Sequence, residues 1–521
     1  GDGSSSAGTV TASGATFSVA GTHTYTTSGA HTITTSIKDD GGSTATATSS
    51  TSGAGFLRLN LVSDQPGDGL VIDPNLVNPW GIGLAPTTGD FWIADNGADV
   101  ATLYGGDVAG STFSKAGLVV SIPGGAPTGQ VFNGTSDFII HSETASAPAL
   151  FIFASENGSI TGWNPAVPPP PPSTHAQTGA TVPGAVYKGL ALGNNGSVNE
   201  LFATNFAAGT IDVFDGSFHR VTLAAGAFTD PNLPAGYAPF GIANLGGKLY
   251  VSYALQDPAK HDDVAGFGHG FVDVYDASGV LLDRLVTGTP GDPNSPLNSP
   301  WGMAIAPAGF GGFGGDLLVG NFGDGKINAF DPNTGTFLGT LSDPSGQPLV
   351  IDGLWALQFG NGATAGDPST LFFSAGTDGE QHGTFGALIN AQNTPLDGEG
   401  TAIAPTEGAS FSGAIATFAA SNISAHAGDF SATIDWGDGA TAAGTVVANP
   451  EGGFNVVGAH TFAEEGTDSV HVTVTDNAGH TITIGAGAKV ADATLTASGT
   501  TFTATVDNTT SVLLTVATFM D

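Results

Sequence analysis

The sequence contains no cysteine and very few basic side chains. Among its 521 residues, Lys and Arg number 10 against 46 Asp and Glu, which gives a net charge of −36. Without cysteine the chain has no disulfide, no thiol nucleophile and no thiolate metal site. A field this negative repels phosphate groups and anionic headgroups, so nucleic acid is excluded as a default partner. It favours cations, and Ca²⁺ is the candidate cofactor; an acidic surface that only confers solubility is the alternative.

Long apolar runs and helical periodicity are also missing. No stretch of the sequence approaches the roughly 18 consecutive apolar residues of a membrane span, so membrane insertion is not expected. Short runs of Val, Ile, Thr, Phe and Tyr alternate with Gly, Asn, Asp and Pro, a pattern typical of strands and turns. The sequence has no His-Glu-x-x-His, no phosphate loop and no Gly-x-Ser-x-Gly. It therefore predicts an all-β protein, and no catalytic residue is assigned.

A recurring phrase divides the central region into six units of roughly 50–60 residues. Each unit begins with an inner-strand phrase, at 80–85, 188–192, 240–243, 301–306 and 354–357, with a weaker version at 137–141. A second and a third strand follow each phrase. Six such units predict a six-bladed β-propeller over residues 56–391. The sixth unit has only three strands, so we expect residues 57–62 to pair as its outermost strand and close the ring.

The two flanks differ in composition from the central region. They are rich in Thr, Ser and Ala, and their sequences repeat each other. The turn Trp436–Gly439 precedes His460–Phe462, and the N-terminal flank contains the matching His23–Tyr25. This repetition predicts three pieces of one module type. Residues 1–53 hold its later strands, 394–490 form a complete copy, and 491–521 hold the early strands of a further copy.

These motifs resemble known families. Trp436–Gly439 and His460–Phe462 resemble the PKD-type immunoglobulin-like domain, which implies β-sandwich modules that serve as spacers and adhesive units in large cell-surface proteins. The central region resembles an uncharacterised bacterial family of propellers related to NHL-type repeats, through Asn78–Gly81, Tyr187–Ala191 and Asp352–Trp355. The resemblance implies an extracellular or cell-surface location of bacterial type. It implies no particular activity.

The channel mouth of the predicted propeller is the first candidate site. In this fold the turns that enter the inner strands and those that join the second and third strands open on one face. Polar side chains occur in these turns, and they are Asp95, Glu156, Lys188, Asn205, Asn321, Asp352 and Asp378. A ring of oxygen ligands suits a hard cation or another ligand. The alternative is that Asn and Asp only form the turns, since their side chains bond to nearby backbone.

A loop insertion in the fourth unit is the second candidate site. Its potential metal ligands are Asp257, His261, Asp262, Asp263 and His269. Histidine with carboxylates suits a transition metal, whereas the surrounding glycines favour an exposed loop without one. His141 is predicted on an inner strand, with Glu143 on the same side, as a hydrogen-bonded channel histidine.

The preferred functional hypothesis is an extracellular surface or matrix protein, structural or adhesive, with the propeller as a binding or assembly module. Two alternatives stay open: a cation-dependent hydrolase or lyase that uses the channel mouth, and an adhesin that binds surface glycans. The two incomplete flanking modules add a partner hypothesis. Either the chain is one repeat of a longer polypeptide, or residues 493–521 of one copy complete residues 1–50 of the next, as in donor-strand addition. The second arrangement is head-to-tail and would generate a filament.

Overall fold

The computed structural model describes residues 5–13, 16–20, 31–38, 41, 44–51, 55–87, 89–106, 113–308, 310–343, 346–390, 396–420, 427–449, 453–476, 481–501, 503 and 515–520. The chain forms two compact units, Gly1–Ala391 and Gln392–Asp521. Strands dominate both. Within the described ranges the helical turns are short, and they are Asn96–Ala98, Gly311–Phe313, Thr377–Glu380 and Ala427–Asp429. None of the described helices is long and apolar enough to cross a membrane.

Six antiparallel sheets in the first unit form the blades of a propeller. From the inner strand outward, blade 1 consists of Pro79–Gly83, Phe91–Asp95, Val100–Gly105 and Ser114–Ser121. Blade 2 consists of Pro127–Phe132, Phe151–Ser155, Ser159–Trp163 and Gln177–Thr181. Blade 3 has three regular strands, Tyr187–Asn194, Asn199–Asn205 and Thr210–Asp215.

The remaining blades follow the same order. Blade 4 consists of Tyr237–Leu245, Lys248–Leu255, Phe271–Tyr275 and Leu281–Thr287. Blade 5 consists of Pro300–Ile305, Leu317–Asn321, Ile327–Phe330 and Phe337–Thr340. Blade 6 consists of Leu354–Phe359, Leu371–Ala375, Thr384–Asn390 and Phe56–Ser63, with Val71–Ile72 parallel to the last. The predicted all-β fold with a six-bladed propeller is confirmed.

The ring closes as the sequence predicts. Phe56–Ser63 is antiparallel to Thr384–Asn390, with Phe56 opposite Asn390 and Ser63 opposite Thr384. The strand that precedes blade 1 in the sequence is therefore the fourth strand of blade 6, with only the short Val71–Ile72 outside it. This pairing covers an edge that would otherwise present unpaired backbone groups.

The prediction that residues 137–141 form the inner strand of blade 2 was wrong. Residues 139–141 form a small hairpin, Ile139–His141 with Ser146–Pro148, inserted between the true inner strand and the second strand. His141 is exposed on this hairpin, so it is not a channel histidine. The true inner strand is Pro127–Phe132, which pairs with Phe151–Ser155.

A glycine near the start of five inner strands allows neighbouring blades to approach closely. The pairing register with the second strand shifts at this point in all six blades. A Cβ on Gly241 would lie 2.1 Å from the carbonyl oxygen of Trp301, and one on Gly302 would lie 2.4 Å from that of Trp355. Such distances exclude any side chain, which explains the repeated aromatic-Gly phrase of the sequence.

The second unit contains a seven-stranded antiparallel sheet with its own core. Its strand order is Leu396–Gly400, Ser410–Ala420, Phe454–Thr461, Thr441–Ala448, Phe430–Asp435, Gly466–Asp476 and Thr481–Val490. Trp436 is fully buried and stacks on His460 with ring centroids 4.8 Å apart. The Nε2 of His460 lies 2.7 Å from an Asp438 carboxylate oxygen, so the two motifs of the flank contact each other.

The terminal segments form separate two-stranded pieces in their described parts. These pairs are Thr9–Ser13 with Thr16–Ala20, His31–Lys38 with Thr44–Thr51, and Thr496–Gly499 with Ala517–Met520. The motif residues 1–3 and 21–25 lie outside the described residues. The assignment of the flanks to PKD-type modules, with the boundaries given above, stays a prediction.

Candidate functional site

Three tryptophans close the channel beneath its mouth. Trp80, Trp301 and Trp355 occupy matching positions at the start of the inner strands of blades 1, 5 and 6, and all three are buried. Trp80 and Trp355 stack with centroids 3.5 Å apart, while Trp301 meets both edge-on at 6.1 and 5.7 Å. These rings pack as inner-strand residues, as the sequence indicates, and they form an apolar floor for the mouth.

Lys188 occupies the equivalent position of blade 3, so its ammonium group lies within this aromatic layer. Its side chain is 2 % exposed, and Nζ lies 5.0 Å from the centre of the Trp80 ring. Nζ donates to Glu156 and, at 3.2 Å, to Asp262. The charge of this buried lysine is therefore balanced by two carboxylates and by a cation–π contact.

Acidic side chains from three blades surround this lysine. Glu156 follows the second strand of blade 2, Asp262 and Asp263 belong to the blade 4 insertion, and Glu380 follows the second strand of blade 6. The second oxygen of Glu156 accepts a hydrogen bond from Asn96 at 3.1 Å. Four carboxylates thus interact electrostatically with one ammonium group at the mouth.

The carboxylates of the mouth differ in proton affinity. Burial, together with the nearby charges of Glu156 and Asp262, raises the pKa of Glu380 to about 7 in spite of Lys188. Burial also raises the pKa of Asp263. Burial acts in the same direction on Asp262, but Lys188 and His261 outweigh it and lower the pKa of that carboxyl. The mouth therefore holds ionised and readily protonated carboxyl groups side by side.

The metal ligands predicted in the insertion come only partly together. The ligand atoms of His261 and Asp262 lie within 4.8 Å of each other and of a Glu156 oxygen. One nitrogen and two carboxylate oxygens suit a transition metal better than Ca²⁺, which takes six or more oxygens. The ammonium group of Lys188 contacts two of these three residues, so a divalent ion there would compete with it.

The other ligands predicted in the insertion shape the loop. Asp257 accepts from the backbone N–H of His261 at 2.8 Å and from that of Asp262 at 3.3 Å, and these bonds lower its pKa. The Nδ1 of His269 lies 2.8 Å from the carbonyl oxygen of Val264. These two contacts hold the insertion in the conformation that carries Asp262 to Lys188.

Three residues predicted at the mouth are buried within their blades instead. Asp95 accepts from the Thr102 hydroxyl at 2.8 Å, and burial raises its pKa well above the usual value. Asn205 donates to Asp212 at 3.0 Å, and Asn321 donates to the carbonyl oxygen of Pro296 at 3.0 Å. Their contacts are those of turn- and strand-fixing residues.

The last two predicted residues lie at the exposed side of blade 6. The carboxylate of Asp352 accepts from the backbone N–H of Asp378 at 2.9 Å. This bond fixes the turn in which Asp378 and Glu380 both have positive φ, 53° and 68°. Glu380 itself was missed in the sequence. Glu156 comes directly after the second strand of blade 2, whereas Glu380 comes later in the turn after the second strand of blade 6, the turn that also contains Asp378. The turn between the second and third strands is the signal that could have found Glu380.

Comparison with known proteins identifies relatives of the chain in a virus. No protein-family model matches the chain. The uncharacterized protein R648 of Acanthamoeba polyphaga mimivirus is 32% identical over 338 residues, which cover 64% of this chain and 80% of R648. The uncharacterized protein L690 of the same virus is 34% identical over 330 residues, covering 61% and 82%. The chain belongs to the family of these mimivirus proteins. Since these relatives are viral, they give no support to the expected bacterial setting.

Solved structures give distant likenesses. An α-L-arabinanase of Penicillium chrysogenum has a TM-score of 0.40 at 12% identity, covering 65% of this chain and 99% of that enzyme. A chain of the nidogen/laminin complex has a TM-score of 0.33 at 14% identity, covering 56% and 84%. The extracellular domain of a putative one-component system of B. thetaiotaomicron has a TM-score of 0.40 at 8% identity, covering 87% and 61%.

Proposed function

We propose that the propeller is a binding module whose channel mouth receives a positively charged group, either a metal ion or the ammonium group of a ligand. The observation that carries this proposal is the cluster of Glu156, Asp262, Asp263 and Glu380 around Lys188. The carboxylates outnumber the internal cation, so the mouth retains negative charge above the pKa of Glu380. A propeller mouth supplies these groups on turns held by rigid strands, as a preorganised site requires.

A variant of Lys188 tests this proposal. In the variant Lys188→Met the carboxylates lose their internal cation, so we expect them to bind an external one more tightly. Manganese(II) and methylammonium, titrated separately by calorimetry at pH 8, test the metal and the ammonium forms of the proposal. We expect at least about a tenfold gain in affinity for one of them.

The matched controls are Lys188→Met/Glu156→Gln, which removes part of the acidic cluster, and Lys248→Met, which removes an exposed lysine of blade 4. The double variant should lose the gain, and the second control should never show it. Equal affinity of the wild type and Lys188→Met for both cations would refute the proposal.

A second candidate function, a hydrolase or lyase acting at the mouth, is favoured by one observation. The pKa of Glu380 is raised to about 7 by burial, and the nearby Glu156 carboxylate contributes in the same direction. A protonated carboxyl beside an ionised one is the arrangement of a general acid with a general base or nucleophile. The test is hydrolysis of nitrophenyl esters and glycosides: activity that Glu380→Gln abolishes would support an enzyme. Activity unchanged by Glu380→Gln, or none with these substrates, would favour the binding module.

The proposed setting is an extracellular surface or matrix, where copies assemble head-to-tail. Support comes from apolar side chains that are exposed in the described terminal segments. They are Val10, Val19 and Ile37 on strands near one end of the sequence, and Leu495 and Val516 directly before strands near the other. An isolated two-stranded sheet is marginally stable in water, so these pieces would gain from a partner strand. Light scattering across a concentration series should show assembly that Val516→Asp weakens and Val447→Asp, a control on an exposed strand of the second unit, does not. A monomer at all concentrations would refute this assembly.

A further inference from the structure

A second cavity lies between blades 3 and 4, away from the residues of the mouth. Blade 3 lacks a regular fourth strand: after Thr210–Asp215 the chain makes a single bridge between Phe214 and Arg220 and then runs as a loop to Tyr237. Between this loop, the third strand of blade 3 and blade 4 lies a cleft of about 480 Å³. This volume falls within the range of small-molecule sites, roughly 300–1,000 Å³.

The floor of the cleft carries a carboxylate with remaining acceptor capacity. Asp212 is buried and accepts from the Tyr187 hydroxyl at 2.8 Å and from the Asn205 amide at 3.0 Å. Its other oxygen, Oδ1, accepts from Arg220. A carboxylate has about four acceptor positions, so these three bonds leave one for a ligand hydroxyl.

The rim of the cleft carries hydrogen-bonding groups that reach solvent. The side chain of Arg220 is 52 % exposed, and its ion pair with Asp212 fixes the planar guanidinium at the opening. Thr210 and Thr222 are exposed beside it and line the same cleft. These groups combine N–H donors with hydroxyls that both donate and accept.

The walls of the cleft are apolar. Phe228 and Leu233 line it on the loop side, with Tyr253 from the second strand of blade 4. Phe228 is held in place by Phe202 and Tyr275, with ring centroids 5.7 and 5.5 Å away. A rigid aromatic and aliphatic wall beneath a polar rim suits the C–H face of a sugar ring.

The charges of the cleft and of the whole chain indicate whether a neutral or an acidic sugar would bind. Asp212 and Asp230 face Arg220 and Arg284, so the ion pairs of the cleft are already complete. The chain as a whole has a net charge of −36, which disfavours an acidic sugar. We infer that the cleft between blades 3 and 4 binds a neutral saccharide of one or two residues, with its hydroxyls on Asp212 and Arg220.

Saturation-transfer NMR on the full chain tests this inference. The probes are cellobiose, maltose, galactobiose and xylobiose, each at about 10 mM because weak saccharide sites bind in the millimolar range, with digalacturonate as the acidic comparison. We expect at least one neutral disaccharide to bind. Its affinity should fall at least about tenfold in Arg220→Ala, the loss of one charge-assisted hydrogen bond.

A second variant separates loss of contact from loss of folding. Thr222→Tyr narrows the opening from an exposed position and should also abolish binding, whereas Thr287→Tyr, on the exposed outer strand of blade 4, should not. Lys188→Met should leave saccharide binding unchanged, which keeps this cleft distinct from the mouth. Binding of none of the neutral probes, binding insensitive to both Arg220→Ala and Thr222→Tyr, or stronger binding of digalacturonate would overturn the inference.

Discussion

The propeller buries several charged side chains, whereas the C-terminal sheet buries few. The propeller buries Lys188 and a set of aspartates, namely Asp73, Asp95, Asp212, Asp230 and Asp273. In the described part of the second unit, Glu407 is the single charged residue that is buried. Since buried charges must be paired or hydrogen-bonded, the propeller depends on specific polar contacts, while the sheet depends on apolar packing. The difference teaches that the chemistry of this chain is concentrated in the propeller.

The largest effect is expected from Asp73→Ala. Asp73 is fully buried and accepts from the Tyr104 hydroxyl at 2.6 Å, and its other oxygen lies 2.7 Å from the Lys115 ammonium. Removing the carboxylate leaves the buried Tyr104 hydroxyl without its acceptor and the partly exposed Lys115 without its partner, and we expect a total loss of about 3 kcal/mol. Urea unfolding followed by tryptophan fluorescence measures it, because five of the six tryptophans lie in the propeller. A loss below about 1 kcal/mol would contradict the comparison.

Lys188→Met should give the next largest loss. Glu156 and Asp262 would face each other without their cation, but both are partly solvated, so we expect about 2 kcal/mol rather than the full cost of a buried pair. The loss should be smaller at pH 4 than at pH 8, because without the ammonium group the uptake of a proton at the lower pH relieves the repulsion between the two carboxylates. Unfolding curves at the two pH values measure it, and adding Glu156→Gln should restore part of the stability. An equal loss at both pH values would contradict the charge argument.

Glu380→Gln should change how stability depends on pH. The pKa of Glu380 is raised by burial to about 7 in the folded protein, above the ordinary value of 4.5. The folded state therefore binds the proton more tightly, and the stability contribution present below pH 4.5 is lost as the pH rises through 7. The variant removes this loss, so it should be more stable than the wild type at pH 8 by about 1–2 kcal/mol, after allowance for solvent screening. Thermal unfolding of the variant and the wild type at pH 4 and pH 8 measures this stability difference. If the difference is the same at both pH values, titration of Glu380 does not cause it.

The smallest effect is expected in the second unit. Asp438 contacts His460 at 2.7 Å, but the pair is partly exposed. Asp438→Asn should cost less than about 1 kcal/mol. A calorimetric scan that follows the transition of this unit measures the loss, with Asp435→Asn, an exposed aspartate on the preceding strand, as the matched control. A loss as large as that of Asp73→Ala would remove the contrast between the two units.

Most of the propeller could be predicted because its signals are local. Five inner strands and the closing strand were found from a repeated phrase and a count of strands. The inner strand of blade 2 was misplaced because the apolar run at 137–141 looks more like a strand than Pro127–Phe132 does. The better signal is the spacing x-Pro-x-Gly, which Pro127 and Gly129 share with Pro79 and Gly81 and with Pro300 and Gly302. The glycine in this spacing marks the point where neighbouring blades approach too closely for any side chain.

The candidate site was harder to predict because it is assembled across blades. Lys188 and Glu156 could be placed at the mouth from the position of their turns. The contact between Lys188 and Asp262 joins residues 74 positions apart, and no local pattern encodes it. Asp95 and Asn205 occur at the same turns as the mouth residues, but their side chains bond inside the blade. The position of a turn can therefore be predicted from the sequence. The direction in which its side chain points depends on tertiary contacts and cannot.

The strand that closes the ring has a mechanical consequence. Phe56 lies opposite Asn390, so the chain enters and leaves the propeller at the same end of one antiparallel strand pair. Tension applied to the two flanking segments would load the backbone hydrogen bonds of this pair one after another, in peeling geometry, instead of all together in shear. The ring would therefore open at its closing strand under a low force and then extend blade by blade. A propeller pulled through its two flanking segments would therefore release length under load and recover it on refolding.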